Sequence, residues 1–352
     1  MLGFLGGGSG IVGLDIGTSN IKVVELTKKG KSFKLVRYAS SPLPEGAIIE
    51  DEINKNEEVI EAINEAFDNA GIKNKNVCLG LYGPNTIARK LQIEGGDEED
   101  IEGQVEFESD QYLPFAYEDG KVDYHVVGEN EGGGIDVIIA GCKGNTYDEF
   151  MELASDAKLK VKIVDLSILA LTNVFEFLYK DNLKNNSDSF LILDIGAQST
   201  SFVVYKNGNI NFAKEIAAGG SMFTEEIQRQ MGVNYIEAED LKITGDEEGN
   251  LPEDVAQIIG QVSEVVLGEI QKTLEFYINS SSDEGIVSCH VTGGAVQTAG
   301  FMERLEEVVG LPVEELNPFE AIDYSDAQFD EDVVNEMIYV ATVAIGLGMR
   351  KG

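Results

Sequence analysis

Histidine, cysteine and basic residues are all scarce in this chain, and each shortage removes a class of chemistry. Only His125 and His290 occur, both on strand-like stretches, so neither a histidine metal site nor a nucleophile–histidine triad is expected, and both are read as structural. Cys78, Cys142 and Cys289 are odd in number, far apart, set among apolar neighbours and without zinc spacing. They read as reduced, buried small hydrophobes of a cytoplasmic protein. Lys and Arg number 26 against 63 Asp and Glu, a net charge of -37. That field repels nucleic acid and anionic lipid, so neither is an expected partner. No apolar run approaches the ~20 residues of a membrane span. The opening MLGFLGGGSG lacks the charged segment and long apolar core of a signal peptide. AIGLGMRKG at the other end carries two cations but no amphipathic membrane helix. No direct membrane insertion is expected; any membrane attachment must come through a partner.

What the chain does have is apolar residues, 43% of 352, enough for two sizeable cores. It also has an internal duplication. Residues 11–26 read IVGLDIGTSNIKVVEL and residues 190–205 read FLILDIGAQSTSFVVY. Each is an apolar strand ending in Asp-Ile-Gly, then a turn of small and hydroxyl residues, then a strand of alternating polarity. Glycine lets the backbone approach a phosphate, neighbouring N–H groups can point at its oxygens, and Asp15 or Asp194 brings a carboxylate within reach of magnesium. Two such hairpins facing each other would clamp a nucleotide triphosphate from both sides. Two local matches fail on context. Gly8 to Gly13 spells a dinucleotide fingerprint but precedes a strand instead of opening a helix. Gly30-Lys31-Ser32 resembles the end of a P-loop, but Glu25 stands where its first glycine is required.

The first hairpin is followed by a third strand ended by Pro42 and Pro44, a helix over 57–70 stopped by Gly71, and the strand NVCLGLYG. This β-β-β-α-β order implies a mixed sheet. Residues 92–155 differ: an acidic helix, two strands around Gly132–Gly134 and another helix, a small α+β insertion. A strand and apolar helix over 161–180 return to the first domain, with the crossing to the second placed at Asn185–Ser189. After the second hairpin a glycine pair opens a helix with Phe223, Ile227 and Met231 on one face. Glu239 and Lys242 then lie three apart on the same helical side. A long amphipathic helix fills 253–280, a strand–Gly–Gly–helix unit follows at Gly293-Gly294, and one apolar helix is expected from Asp332 to Gly348.

Two phosphate-type hairpins, a helix after each and the Gly293-Gly294-Ala295 turn resemble the actin, hexokinase and DnaK-type superfamily. Within it the chain most resembles the PilM family of type IV pilus assembly, related to the division protein FtsA. VGLDIGTSNIKVVEL, SPLPEGAI, QYLPFAYEDGKVDYHVVG with IDVIIAG, IVDLSILAL and LDIGAQSTSFVVY carry that likeness. The resemblance implies an α/β, actin-like (ribonuclease H-like) fold of duplicated βββαβα domains around a nucleotide cleft. Domain I would be 1–186 plus 333–352, with 92–155 as a 1C-type subdomain, and domain II would be 187–332. It further implies ATP and Mg2+ as cofactors. The implied partner is the N-terminal cytoplasmic tail of a PilN-like inner-membrane protein, which puts the chain in the cytoplasm, peripheral to the membrane. Self-association is left open.

Carried onto this sequence, the resemblance gives Asp15 and Asp194 to the magnesium. Gly17, Thr18, Ser19, Asn20 and Lys22 go to the outer phosphates, and Gly196, Ala197, Gln198, Ser199 and Thr200 grip from the opposite side. Gly219 lies near ribose and phosphates, Glu239 and Lys242 bracket ribose and adenine, and Gly293, Gly294 and Ala295 let the nucleotide lie against the backbone. Other readings remain for some of these. Lys22 could be an outward strand lysine, Glu239–Lys242 a surface pair, and the two aspartates turn caps. Asp165 is the remaining candidate acid, but Ser167 stands where the family leads one to expect a carboxylate, so hydrolysis would be slow or absent. Glu94 likewise replaces an expected proline. Against the adaptor reading stand a small-molecule kinase with Asp165 as base, and an FtsA-like filament former.

Overall fold

A computed structural model describes residues 10–49, 52–130, 132–183, 188–244, 250–281, 285–325, 327 and 329–351. Gly8 and Ser9 of the fingerprint-like run, and residues 185–187 of the expected crossing, lie outside them.

The first lobe is built on β1 (Val12–Ile16), β2 (Asn20–Lys29) and β3 (Ser32–Pro42), the ribbon of β4 (Ile48–Ile49) with β5 (Glu52–Ile53), then α1 (Asn56–Ala70) and β6 (Asn76–Leu81). Gly71 ends α1 with φ 63°, a left-handed cap that glycine adopts without a Cβ clash. Three strands, β7 (Thr86–Ile93), β8 (Gly120–Glu129) and β9 (Ile135–Lys143), form a separate antiparallel sheet in the order β7-β9-β8. Two helices flank them in the chain, α2 (Glu98–Ser109) and α3 (Gly144–Asp156). Glu94 donates its backbone N–H to Gln104 at 2.8 Å, a bond the expected proline could not make. α3 sends Phe150, Leu153 and Ala154 into the same core as Val12 and Leu14, so it is seated on the first lobe. β10 (Lys160–Leu166) then completes the first-lobe sheet, order β10-β6-β1-β2-β3, and α4 (Ser167–Leu183) leads out of it.

The second lobe repeats the plan. Its strands are β11 (Ser189–Ile195), β12 (Thr200–Lys206) and β13 (Asn209–Ile216), followed by the helices α5 (Ser221–Met231), α6 (Tyr235–Ile243) and α7 (Glu253–Ser280). β14 (Ile286–Thr292), α8 (Phe301–Val309) and β15 (Val313–Glu315) close it in the order β13-β12-β11-β14-β15. In both lobes the hairpin-bearing strand pairs antiparallel with the next and parallel with a later one, the signature of a duplicated unit.

Under the cleft the lobes share packing. Phe175 of α4 meets Phe190 and Tyr205 at centroid distances of 5.5 and 5.3 Å, and the Tyr205 hydroxyl donates to Glu176 at 2.7 Å. The C-terminal stretch expected as one helix is two, α9 (Glu331–Val340) and α10 (Thr342–Gly348). The break at Ala341 follows from Tyr339, whose carbonyl accepts from Gly293 N (2.8 Å) and from Thr292 Oγ1 (2.9 Å) instead of continuing the helix ladder. α9 thus touches the second lobe while α10 inserts into the first. Met231, read on one face with Phe223 and Ile227, is 38% exposed while those two are buried, and Gly232 ends the helix just after it. All three cysteines are free and buried. His290 is buried too, and burial pushes its imidazole down to about 4, so it stays neutral at physiological pH, as a structural histidine does.

Candidate functional site

Both Asp-Ile-Gly turns close by the same bond. Gly17 N donates to Asn20 O at 3.1 Å, and Gly196 N donates to Ser199 O at 2.9 Å. The likeness seen in sequence is therefore a likeness in backbone geometry. The turns face each other across a cavity of about 400 Å³, which they line together with Gly293, Gly294 and Ala295. Glycine is required at one of these places: Gly293 has φ +100°, and a Cβ there would lie 2.4 Å from Ile195 O and 2.6 Å from Asp194 Oδ1. The second turn is strapped to the start of α5, where Ser221 N and Oγ both donate to Ala197 O, at 2.7 and 2.6 Å.

One end of the cavity is rich in carboxylates. Lys22 Nζ lies 3.2 Å from Asp15 Oδ2, so Lys22 points into the cleft and is not an outward strand lysine. Burial, reinforced by the charge of Asp15, pushes the Asp194 carboxyl up to about 7, and Lys22 offsets only part of this. Burial also raises Glu215. The sign of the linkage is fixed. An acid whose folded-state pKa lies above its unfolded value binds its proton more tightly in the folded state, so stability is lost as pH rises through the gap. Ligand-free protein should therefore lose stability between about pH 4 and pH 7, and Asp194→Asn should flatten that slope; urea titrations at both ends of the window check this.

The same cavity is lined by a lysine in a cage. Lys242, only 6% exposed, donates to Glu239 Oε1 (2.7 Å), Thr224 Oγ1 (3.0 Å) and Gly220 O (3.4 Å). That burial rules out a surface salt bridge. Glu239 also accepts from Thr224, and Tyr235 lines the cavity beside it.

Most of the residues singled out from sequence meet at this cavity; three do not. Thr200 turns its hydroxyl to Ala218 O (2.7 Å), and Gly219 backs onto the second turn, where a Cβ would sit 2.6 Å from Gly196 O and Ala197 O. Asp165 is sequestered: Arg350 Nε lies 3.0 Å from its Oδ2, and Leu166 N donates to its Oδ1 at 2.9 Å. Burial raises its pKa against the pull of Arg350. Ser167, buried and with an unpartnered hydroxyl, lines the cavity instead. Sequence reasoning missed Ser201, Glu215, Tyr82 and Tyr339. Strand register held a signal for two of them, since Ser201 lies opposite Asp194 and Glu215 opposite Ser201.

Among the described residues no three acidic, histidine or cysteine side chains converge closely enough to hold a metal alone. Two carboxylates lining a cavity of about 400 Å³ nonetheless fit magnesium, which prefers one or two carboxylates plus waters and substrate phosphates. The group would be held by Asp15 and Asp194 and would supply charge neutralisation for phosphate oxygens.

Two lobes of one duplicated topology, each presenting a glycine turn and an aspartate to a common cleft, define an actin-like fold. The chain belongs to the type IV pilus assembly protein PilM family, whose model matches residues 13–352. Both results agree with the resemblance read from sequence. The chain is similar to the solved PilM-PilN type IV pilus biogenesis complex, with a TM-score of 0.84 at 24% identity, covering 97% of this chain and 98% of that one. It is also similar to MreB 5 of Spiroplasma citri bound to AMPPNP, with a TM-score of 0.50 at 13% identity over 88% of this chain and 92% of that one. Cell division protein FtsA of Neisseria meningitidis serogroup B (strain ATCC BAA-335 / MC58) is 28% identical over 161 residues, 38% of this chain and 38% of FtsA. The match thus spans well under half of that curated relative. No helix among the described residues is long and apolar enough to cross a membrane.

Proposed function

We propose that this chain is an ATP-binding cytoplasmic adaptor of a type IV pilus assembly platform, held at the inner membrane by the N-terminal cytoplasmic tail of a PilN-like protein. The observation that carries the reading is a family match over residues 13–352 together with a cleft whose two turns close alike. A solved PilM was found with PilN, and a protein of the same fold was found with AMPPNP; both point the same way. Bound nucleotide stabilises whichever cleft geometry it fits by mass action, so an adaptor needs no turnover. Asp15, Lys22 and the two turns would hold the phosphates and their cation, and the Lys242–Glu239 cage the nucleoside end. Residues 1–186 with 333–352 would form one domain, 187–332 the other, and 92–155 the inserted subdomain.

Slow hydrolysis is expected. Asp165 is committed to Arg350, and Ser167 offers a hydroxyl too weakly basic to take a proton from water. Phosphate release should fall at least tenfold below the ~10 s⁻¹ typical of enzymes, and a rate at or above that value would mean another group orients the water. The sequestration of Asp165 also removes the one base a kinase reading had. The adaptor reading itself is tested by cell fractionation. The chain should sediment with inner membranes when the PilN-like protein is present and stay in the supernatant when its cytoplasmic tail is deleted. Sedimentation unaffected by that deletion would contradict it.

A further inference from the structure

The two lobes carry matching rows of side chains across their sheets. In the first, register sets Asp15 opposite Lys22 and Lys22 opposite Ser40. In the second, it sets Asp194 opposite Ser201 and Ser201 opposite Glu215. Directly opposed residues share a face of the sheet, and Asp15, Lys22, Asp194, Ser201 and Glu215 all line the cleft. The rows differ in sign. Where the first lobe places a lysine one strand from its aspartate, the second places a serine there and a carboxylate one strand further on.

Glu215 is held but incompletely satisfied. Ser201 Oγ donates to its Oε1 at 2.6 Å and Ser199 adds a side-chain hydrogen bond to the carboxylate, while its Oε2 is shut off from solvent and has no close partner of its own among the described residues. Leaving a buried acceptor unmade costs of order 1–3 kcal/mol, more for a charge. In a cavity meant for phosphates, an anion has the wrong sign for direct contact with the nucleotide. A further donor from outside the protein would complete Oε2, and a phosphate oxygen cannot supply it. A water bound to a divalent cation is such a donor, because magnesium dehydrates reluctantly and keeps several waters when bound by one or two carboxylates.

We propose that Glu215 is a positioning residue for the divalent cation that accompanies the nucleotide, its Oε2 accepting from a cation-bound water. This rests on the nucleotide reading above. Two strand spacings put the backbones of Asp194 and Glu215 roughly 10 Å apart, a span that the two side chains, an ion and one water can bridge.

The test titrates a fluorescent ATP analogue into wild type, Glu215→Gln and Ser201→Ala, each with Mg2+ and again with EDTA. Outer-shell partners of a metal typically contribute 10–100-fold to its affinity. Glu215→Gln should thus weaken analogue binding about tenfold or more in Mg2+, yet bind at least as well as wild type in EDTA, because a negative charge near the phosphates is gone. Ser201→Ala should show a smaller loss confined to Mg2+. Equal losses in both media, or no loss in Mg2+, would overturn the proposal and leave Glu215 a structural residue. Wild type that binds the analogue in neither medium would instead overturn the nucleotide reading, and this inference with it.

Discussion

Gly346→Val should leave little or no folded protein. A Cβ at Gly346 would lie 2.0 Å from the carbonyl oxygen of Ala170, and a Cβ at Gly13, on the opposite side of α10, would lie 2.0 Å from Ala344 O. Both obstacles are backbone, so no side chain can rotate away, and α10 would have to leave its slot between β1 and α4. All seven residues of α10 are buried, among them Val343, Ile345 and Leu347. Undocking would expose them and draw Arg350 away from Asp165, leaving a buried carboxylate without its cation. Losses above about 4 kcal/mol are exceptional for a point mutation and come from this kind of core disruption. Soluble yield and thermal melting by circular dichroism report the outcome. Melting within a few degrees of wild type would mean that α10 is not the wedge its contacts make it.

Lys22→Met should weaken ATP binding by about a hundredfold while leaving the protein folded. Lys22 neutralises part of a site holding Asp15, Asp194 and Glu215, and the other cation lining the cavity, Lys242, is already committed to Glu239 and Thr224. A charged hydrogen bond contributes about 1.5–3 kcal/mol, and each 1.4 kcal/mol is tenfold in affinity. Removing the lysine also removes what holds the Asp194 carboxyl down. The ligand-free variant should therefore lose stability more steeply than wild type as pH rises toward 7. Isothermal titration with Mg-ATP and urea melts across pH check the two effects. Unchanged affinity would return Lys22 to the role of a structural partner for Asp15.

The parts of this site that were legible in sequence are those fixed by neighbours along the chain. A strand, Asp-Ile-Gly and a return strand specify a hairpin locally, and the duplication put Asp15 and Asp194 in equivalent places. The double glycine at Gly293 was legible because φ +100° against Ile195 excludes any side chain. Asp165 looked in sequence much like Asp15, a carboxylate ending a buried strand. What separates them is Arg350, far along the chain, brought to Asp165 by α10. Glu215 was invisible for a related reason, since its position beside the cleft depends on the β12–β13 register and not on any local motif. The split of the last helix depends on Tyr339 bonding to Thr292 and Gly293, a contact between segments distant in sequence. Local chemistry was readable; which distant charge reaches which carboxylate was not.

The central claim is that the nucleotide-bound cleft presents this chain to the tail of a membrane protein. Fluorescence anisotropy tests it most directly, with purified protein titrated into a labelled peptide of the PilN-like N-terminal tail from the same source. Runs with Mg-ATP, with ADP and without nucleotide separate a switch from a nucleotide that merely holds the fold together. Saturable binding at micromolar concentration or tighter, strongest with Mg-ATP, is the expected result. No binding in any state, by protein shown separately to hold ATP, would contradict the adaptor account.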